Sequence, residues 1–257
     1  MSNYNIEKNG FEIFSPPNLE PLNLIRKDLL KFSKELFPYN GESLDEFFNQ
    51  FHKHNLPETE MNTLKLKIIP YLTTNQDIKE NICKLITEHA YVNLGRDLVR
   101  QKTVNLVIQT PHNLSRAEAH RDAPLNSPFE LTYFIPLVDC FATKNLFCLD
   151  FDQTLSTLPM LDGENGSLSK YQEHAEKIGK TMPLKMGEVL VFMTSLIHGS
   201  HVNTESETRW SLNYRLKNLF SPYGTKGIPD FFELYQLSAL SRKAFILEEK
   251  GFNSFEP

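Results

Sequence analysis

Three short segments carry residue types that could do chemistry together. The first is His120-Arg121-Asp122. In an extended strand, residues i and i+2 face the same side, so an imidazole at 120 and a carboxylate at 122 can converge on one point. They are two of the three ligands of the facial triad that holds non-haem Fe(II). The pair is weak by itself. Among eight histidines, a roughly 4% chance of Asp two residues on gives about 0.3 accidental pairs per chain. A surface His and Asp beside the turn at Pro124 would look the same. His174-Ala175-Glu176 has the same spacing but lies in a helical pattern, where i and i+2 point about 200° apart, so it is set aside.

The second segment is GEVLVFMTSLIHGS, residues 187–200. It is an apolar strand, a bend and then His198 followed by a small residue. A triad needs a second histidine, and His198 supplies it; a half-buried histidine capping a strand is the plain alternative. His201, three residues on, is a rival ligand. The third segment starts at Arg209, eleven residues after His198. Residues 203–208 are polar and turn-like, so the strands on either side are expected to be hairpin neighbours. Arg209, Ser211, Asn213 and Arg215 alternate with Trp210, Leu212, Tyr214 and Leu216, giving one polar cationic face and one apolar face. On a solvated edge strand the polar face would simply be outside. Inside a barrel, Arg209 would need an anionic partner. A dicarboxylate would serve, gripped bidentately by the guanidinium with a hydroxyl from Ser211 or Ser200 beside it.

The elements that must position these residues follow from periodicity. Leu22, Ile25, Leu29, Phe32 and Leu36 step by three and four along one helix face. Ser43 and Glu46 read as a capping box before Leu44, Phe47, Phe48 and Phe51. Thr74 and Asp77 read as a second helix start, with Ile78, Ile82, Leu85 and His89 on one face and Gly95 as the stop. Beyond Arg96 the period changes. Residues 103–110, 117–123, 131–140, 146–151, 188–193, 196–201 and 209–220 read as strands. Residues 170–178 read as a helical surface insertion, and 230–250 as a terminal helix carrying Phe231, Leu234, Leu237 and Leu240. The fold class is therefore α+β: a helical region over 1–95, a β core over 96–220 with a helical insertion near 168–180, and a C-terminal helical segment over 221–257. Short strands with turns between them suggest a sandwich or barrel.

Composition narrows the function. The 257 residues are 40% hydrophobic and 23% charged, enough for a sizeable core. Net charge is −5, which argues against nucleic-acid binding, since that needs a basic face. No apolar run approaches the ~18 residues of a membrane span. Residues 1–10 lack the apolar stretch of a secretory signal. Cys83, Cys140 and Cys148 are too scattered for a disulfide framework or zinc cluster. A cytoplasmic protein is expected.

Taken together, HRD at 120–122, the strand into HGS at 198–200, and RWS at 209–211 resemble the 2-oxoglutarate and Fe(II)-dependent oxygenases, in particular the phytanoyl-CoA dioxygenase-like branch. The resemblance covers roughly residues 103–217, including the paired strands of LTYFIPLVDCFATKNLFCL. It implies a double-stranded β-helix (jelly-roll, cupin-like). His120, Asp122 and His198 would bind Fe(II). Arg209 would pair with the distal carboxylate of 2-oxoglutarate, with Ser200 assisting and Gln109 within reach of cosubstrate or substrate. The implied reaction consumes O₂, releases succinate and CO₂, and hydroxylates or otherwise oxidises a C–H. Halogenating relatives leave the position of Asp122 for chloride, so a carboxylate there points to hydroxylation. Residues 150–154 lack the Pro-Gly-Ser-His turn of the branch. A looser likeness to bacterial members among carbohydrate-biosynthesis genes suggests a small polar, carbohydrate-related substrate. Asn105, Asn213 and Arg215, on the faces of Gln109 and Arg209, are candidate substrate contacts, against the plainer reading that Asn213 and Arg215 sit at the closed end of the barrel and bond backbone or the helical extension. Three other readings compete. A cupin-like carbohydrate-binding protein would consume no 2-oxoglutarate. A cupin isomerase of nucleotide sugars needs no such triad. A JmjC-type protein hydroxylase anchors the keto acid mainly with Lys, where this chain has Arg209.

Overall fold

The computed structural model describes residues 4–36, 43–161 and 167–252. Among the described residues, ten strands form two antiparallel sheets. The larger contains β1 (Phe11–Phe14), β2 (Leu98–Gln101), β3 (Asn105–Gln109), β4 (Glu130–Pro136), β7 (Val189–Met193), β9 (Arg209–Asn218) and β10 (Phe232–Gln236), in the order β1-β7-β4-β9-β2-β10, with β3 also paired to β9. The smaller is β6-β5-β8, from β6 (Lys180–Thr181), β5 (Leu146–Cys148) and β8 (His198–Ser200).

Helices cover the outer face of the large sheet. They are α2 (Glu20–Leu36), α3 (Leu44–Asn49), α4 (Glu58–Thr74) and α5 (Gln76–Leu94). Leu22, Ile25 and Leu29 of α2 and Ile78, Ile82 and Leu85 of α5 are buried, as their spacing predicts. The Ser43 side chain accepts the Glu46 backbone N–H at the start of α3. Gly95 ends α5 at φ 80, a conformation that favours glycine.

Strand alternation then places the site. On β9, Trp210, Leu212, Tyr214 and Leu216 are fully buried under these helices. Trp210 is packed by Phe47, Phe48 and Phe51. The other face, Arg209 to Arg215, looks inward. Its neighbours are set by register: Gln109 lies opposite Arg209 and Asn105 opposite Asn213 on one side, with Thr132 opposite Arg215 and Phe134 opposite Asn213 on the other. Both faces of β4 are covered, so every one of its residues is buried.

Several expectations change. Strand β8 pairs with β5, not with β9. The chain over 201–208 crosses between sheets instead of forming a hairpin, because Asn203 ties it to the Gln109 and Glu207 carbonyls. Residues 117–123 form only an isolated bridge, His120 to His198. Residues 131–140 and 146–151 are strand only as far as Pro136 and Cys148. Residues 150–154 open helix α6 (Phe151–Thr157), capped by Asp150 and Gln153. The second helix start is Asn75, whose side chain accepts the Ile78 N–H. Thr74 ends α4, which the sequence reading missed although Leu64, Ile68 and Leu72 are its buried stripe. Residues 230–250 begin with β10, paired to β2, before α8 (Ala239–Phe252). Residues 6–9 form a short helix, α1 (Ile6–Asn9), leading into β1; residues 1–3 of that polar start lie outside the described residues. The insertion is present as α7 (Leu168–Ile178), and His174 and Glu176 lie on it.

Candidate functional site

His120, Asp122 and His198 meet between the two sheets, each offering a ligand atom within 4.8 Å of the others. Among the described residues it is the one group of three such side chains found close enough to share a metal ion. Each element supplies its residue for a local reason. The bridge between His120 and His198 consists of two backbone bonds, His120 N–H to the His198 carbonyl and the reverse, both 2.9 Å. It fixes two imidazoles side by side, 4.4 Å between ring centroids. Gly199 follows because a Cβ there would lie 2.7 Å from the Phe147 ring and 3.1 Å from the Ala117 carbonyl.

The imidazole orientations suit metal binding. His120 Nδ1 lies 2.7 Å from the Glu118 carbonyl oxygen and His198 Nδ1 lies 3.0 Å from that of Leu196. A carbonyl can only accept, so Nδ1 carries the proton and Nε2 keeps its lone pair. Burial pushes the His198 imidazole down to about 4, against the pull of Asp122, so it is neutral at pH 7. Burial alone would raise the Asp122 carboxyl, but Arg215 together with the two histidines outweighs it and the group sits below its ordinary value. Asp122 Oδ1 lies 3.9 Å from His120 Nε2. Its Oδ2 accepts from Arg215 NH2 at 2.5 Å. Two imidazoles and one carboxylate form a mixed N/O donor set that fits a divalent non-haem iron.

Beside this group is a cavity of about 440 Å³. Arg209 lines it and is only 2% exposed. Its NH2 donates to Ser200 Oγ at 2.9 Å, while Nε and NH1 have no partner. Burial lowers the guanidinium pKa, and no ion pair offsets it among the described residues. Gln109 also lines the cavity; its amide nitrogen donates to the His201 carbonyl at 2.6 Å and its Oε1 is unpartnered. Asn105, Asn213 and Arg215 are on the wall. Ser211 shares their face and is buried with an unpartnered hydroxyl, but it does not reach the cavity lining. His201 is engaged elsewhere: its Nε2 lies 2.8 Å from Thr181 Oγ1.

Other wall residues escaped the sequence reading. Thr132 and Phe134 of β4 and Phe192 of β7 form part of the cavity, with Lys65 of α4 and Arg116 also lining it. Thr132 was findable as the one aliphatic hydroxyl in its strand. Arg215 is placed by the fold against Asp122 rather than only at a closed end.

The fold is similar to that of known non-heme monooxygenases. The nickel complex of the non-heme monooxygenase ThoJ is 14% identical, covering 91% of this chain and 82% of that one, with TM-score 0.58. Apo ThoJ gives 15% identity over the same shares and TM-score 0.58. The non-heme alpha ketoglutarate dependent carbocyclase SnoK from nogalamycin biosynthesis is 16% identical over 92% of this chain and 87% of that one, with TM-score 0.47. At the identities of the two ThoJ structures the likeness is one of fold. No protein-family model matches the chain, and no curated protein matches it. Among the described residues no helix is long and apolar enough to cross a membrane.

Proposed function

We propose that this protein is an Fe(II)- and 2-oxoglutarate-dependent oxygenase with a double-stranded β-helix core over 96–220, oxidising a C–H of a small polar substrate. One observation carries the reading. A fully buried arginine, with two nitrogens unsatisfied, opens into the same cavity as the His120/Asp122/His198 group. Leaving a buried cation unpaired is costly, and a ligand carboxylate would remove that cost.

His120, Asp122 and His198 hold the iron. Fe(II) with 2-oxoglutarate supplies O₂ activation and oxidation of a C–H, with succinate and CO₂ as by-products. The chain's own residues bind and orient. Arg209, steadied by Ser200, receives the distal carboxylate of the keto acid, and Gln109 is placed beside it. The two backbone carbonyls behind the histidines hold their Nε2 atoms on target. Phe134 and Phe192 are apolar walls that exclude water from the same space.

The substrate is read as polar and carbohydrate-related. Thr132 Oγ1, Asn213 Oδ1 and Arg215 Nε are unpartnered, and Asn105 lies across from Asn213. Lys65, Arg116, Arg209 and Arg215 line the cavity with the acid Asp122; Arg215 pairs with Asp122 and Arg116 with Glu176, while Arg209 has no ion pair among the described residues. That balance favours an anionic or hydroxyl-rich molecule over an acyl chain. The test is succinate formation with Fe(II), 2-oxoglutarate and O₂ across sugar phosphates, nucleotide sugars, amino-acid derivatives and acyl-CoA thioesters. Stimulation by carbohydrate anions is expected. Stimulation by acyl-CoA alone would overturn the substrate class, and no succinate under any condition would overturn the activity.

A further inference from the structure

The Asp122 carboxylate has two oxygens with different fates. Oδ1 faces His120 Nε2 at 3.9 Å, on the side where the three ligand atoms gather. Oδ2 is taken by Arg215 NH2 at 2.5 Å. Arg215 is itself held: its NH1 donates to Gln101 Oε1 at 3.1 Å, and both Arg215 and Gln101 are buried. The other acid near this stretch, Glu130, is satisfied elsewhere, accepting from Asn126 Nδ2 and the Ser127 N–H at 2.7 Å each. Asp122 therefore forms the one ion pair of Arg215 among the described residues.

We propose that Arg215 is a positioning residue that occupies Oδ2 so that Asp122 offers a metal ion only Oδ1. The inference rests on the metal reading above. A free carboxylate can bind a cation through one oxygen or both. Three protein ligands of one atom each leave half of an octahedral shell open. A second Asp122 oxygen would take one of those positions, which a chelating keto acid and O₂ both need. By this account the guanidinium protects cosubstrate binding rather than metal binding. It also works against metal affinity, because it places a positive charge beside the cation's own ligand.

The two effects have opposite signs, which separates this role from a merely structural one. Titrations would be run with Ni(II) into the apo protein, then with 2-oxoglutarate into the Ni(II)-loaded protein, for native, Arg215→Met and Arg215→Lys chains, with melting curves to verify folding. Native protein should bind both ligands. Arg215→Met should bind Ni(II) at least as tightly as native, while 2-oxoglutarate affinity falls by about tenfold or more, about 1.4 kcal/mol. Arg215→Lys, which keeps one donor without the planar fork, should fall between. A crystal structure of the native Ni(II) form should have one Asp122 oxygen on the metal, and that measurement stands even if Arg215→Met does not fold. Four results would overturn the inference: both Asp122 oxygens on the metal in the native form, unchanged 2-oxoglutarate affinity in Arg215→Met, failure of Arg215→Lys to recover any of it, or a joint loss of Ni(II) and 2-oxoglutarate binding in a folded variant. Native protein that binds no Ni(II) would overturn the metal reading as well. Native protein that binds Ni(II) but not 2-oxoglutarate would overturn the cosubstrate, and with it this role for Arg215.

Discussion

Replacing Arg209 by methionine removes the charge while keeping most of the side-chain volume. The native guanidinium is 2% exposed and spends one N–H on Ser200 Oγ at 2.9 Å. Nε and NH1 are unpartnered, and NH1 with the second N–H of NH2 forms a two-donor edge for a carboxylate. Charge-assisted bonds contribute about 1.5–3 kcal/mol each, so two give roughly 3–6 kcal/mol before the carboxylate's desolvation is subtracted. Truncating one partner of such a buried pair costs about 2–5 kcal/mol, which is about 30- to 4000-fold in affinity at 1.4 kcal/mol per factor of ten. Calorimetric titration of 2-oxoglutarate into Ni(II)-loaded native and Arg209→Met protein measures this directly. Pyruvate, which lacks the distal carboxylate, serves as the control and should lose little. Ni(II) affinity should hold. The ligand-free variant should also melt higher than native, because a buried cation without an ionic partner has been removed. A loss of less than about threefold for 2-oxoglutarate, against that expected range, would refute the anchoring role, as would an equal loss for pyruvate.

Asp122→Ala and His198→Ala should each abolish most Ni(II) or Fe(II) binding by calorimetry, whereas His201→Ala should leave it intact, because His201 Nε2 is committed to Thr181. Phe48→Ala should destabilise the fold by about 3–5 kcal/mol in urea unfolding. Trp210, the only tryptophan, reports it by fluorescence because Phe48 packs edge-on against its ring at 5.2 Å. His89 gives a pH test: burial, against the opposing Glu12, holds its imidazole below the ordinary 6.5. Between the lowered folded value and 6.5 the unfolded chain binds more protons than the fold, so stability is full above 6.5 and declines as pH falls through that window. Unfolding free energies from pH 7.5 down to 5 should fall less steeply in His89→Gln than in native protein; identical slopes would count against it.

Much of the site could be read without coordinates because its signals are local. The alternation from Arg209 to Leu216 distinguishes an inward polar face from an outward apolar one, since a strand turns its side chains over every residue. The stripes of α2 and α5 were legible for the same reason at a different period. His120 and Asp122 share a side because the chain is extended there, although it is a bridge and not a regular strand. Short apolar runs were the weak point. Phe231, Leu234, Leu237 and Leu240 satisfy a helical spacing, yet pairing with β2 makes Phe232–Gln236 a strand, and a five-residue run has too few periods to separate the two.

Everything that depends on partners far apart in the chain belongs to the tertiary structure. Arg215 and Asp122 are separated by 93 residues, and no spacing along the sequence announces their ion pair. His201 stays a rival to His198 until the smaller sheet turns one toward His120 and ties the other to Thr181. The hairpin expected across 203–208 fails because Asn203 fastens that segment to Gln109, carrying the chain from one sheet to the other. That crossing sets Ser200 against Arg209. Residue types and periods state which side chains must be buried or paired; only closure of the two sheets, which removes water from between them, selects the atoms that pair.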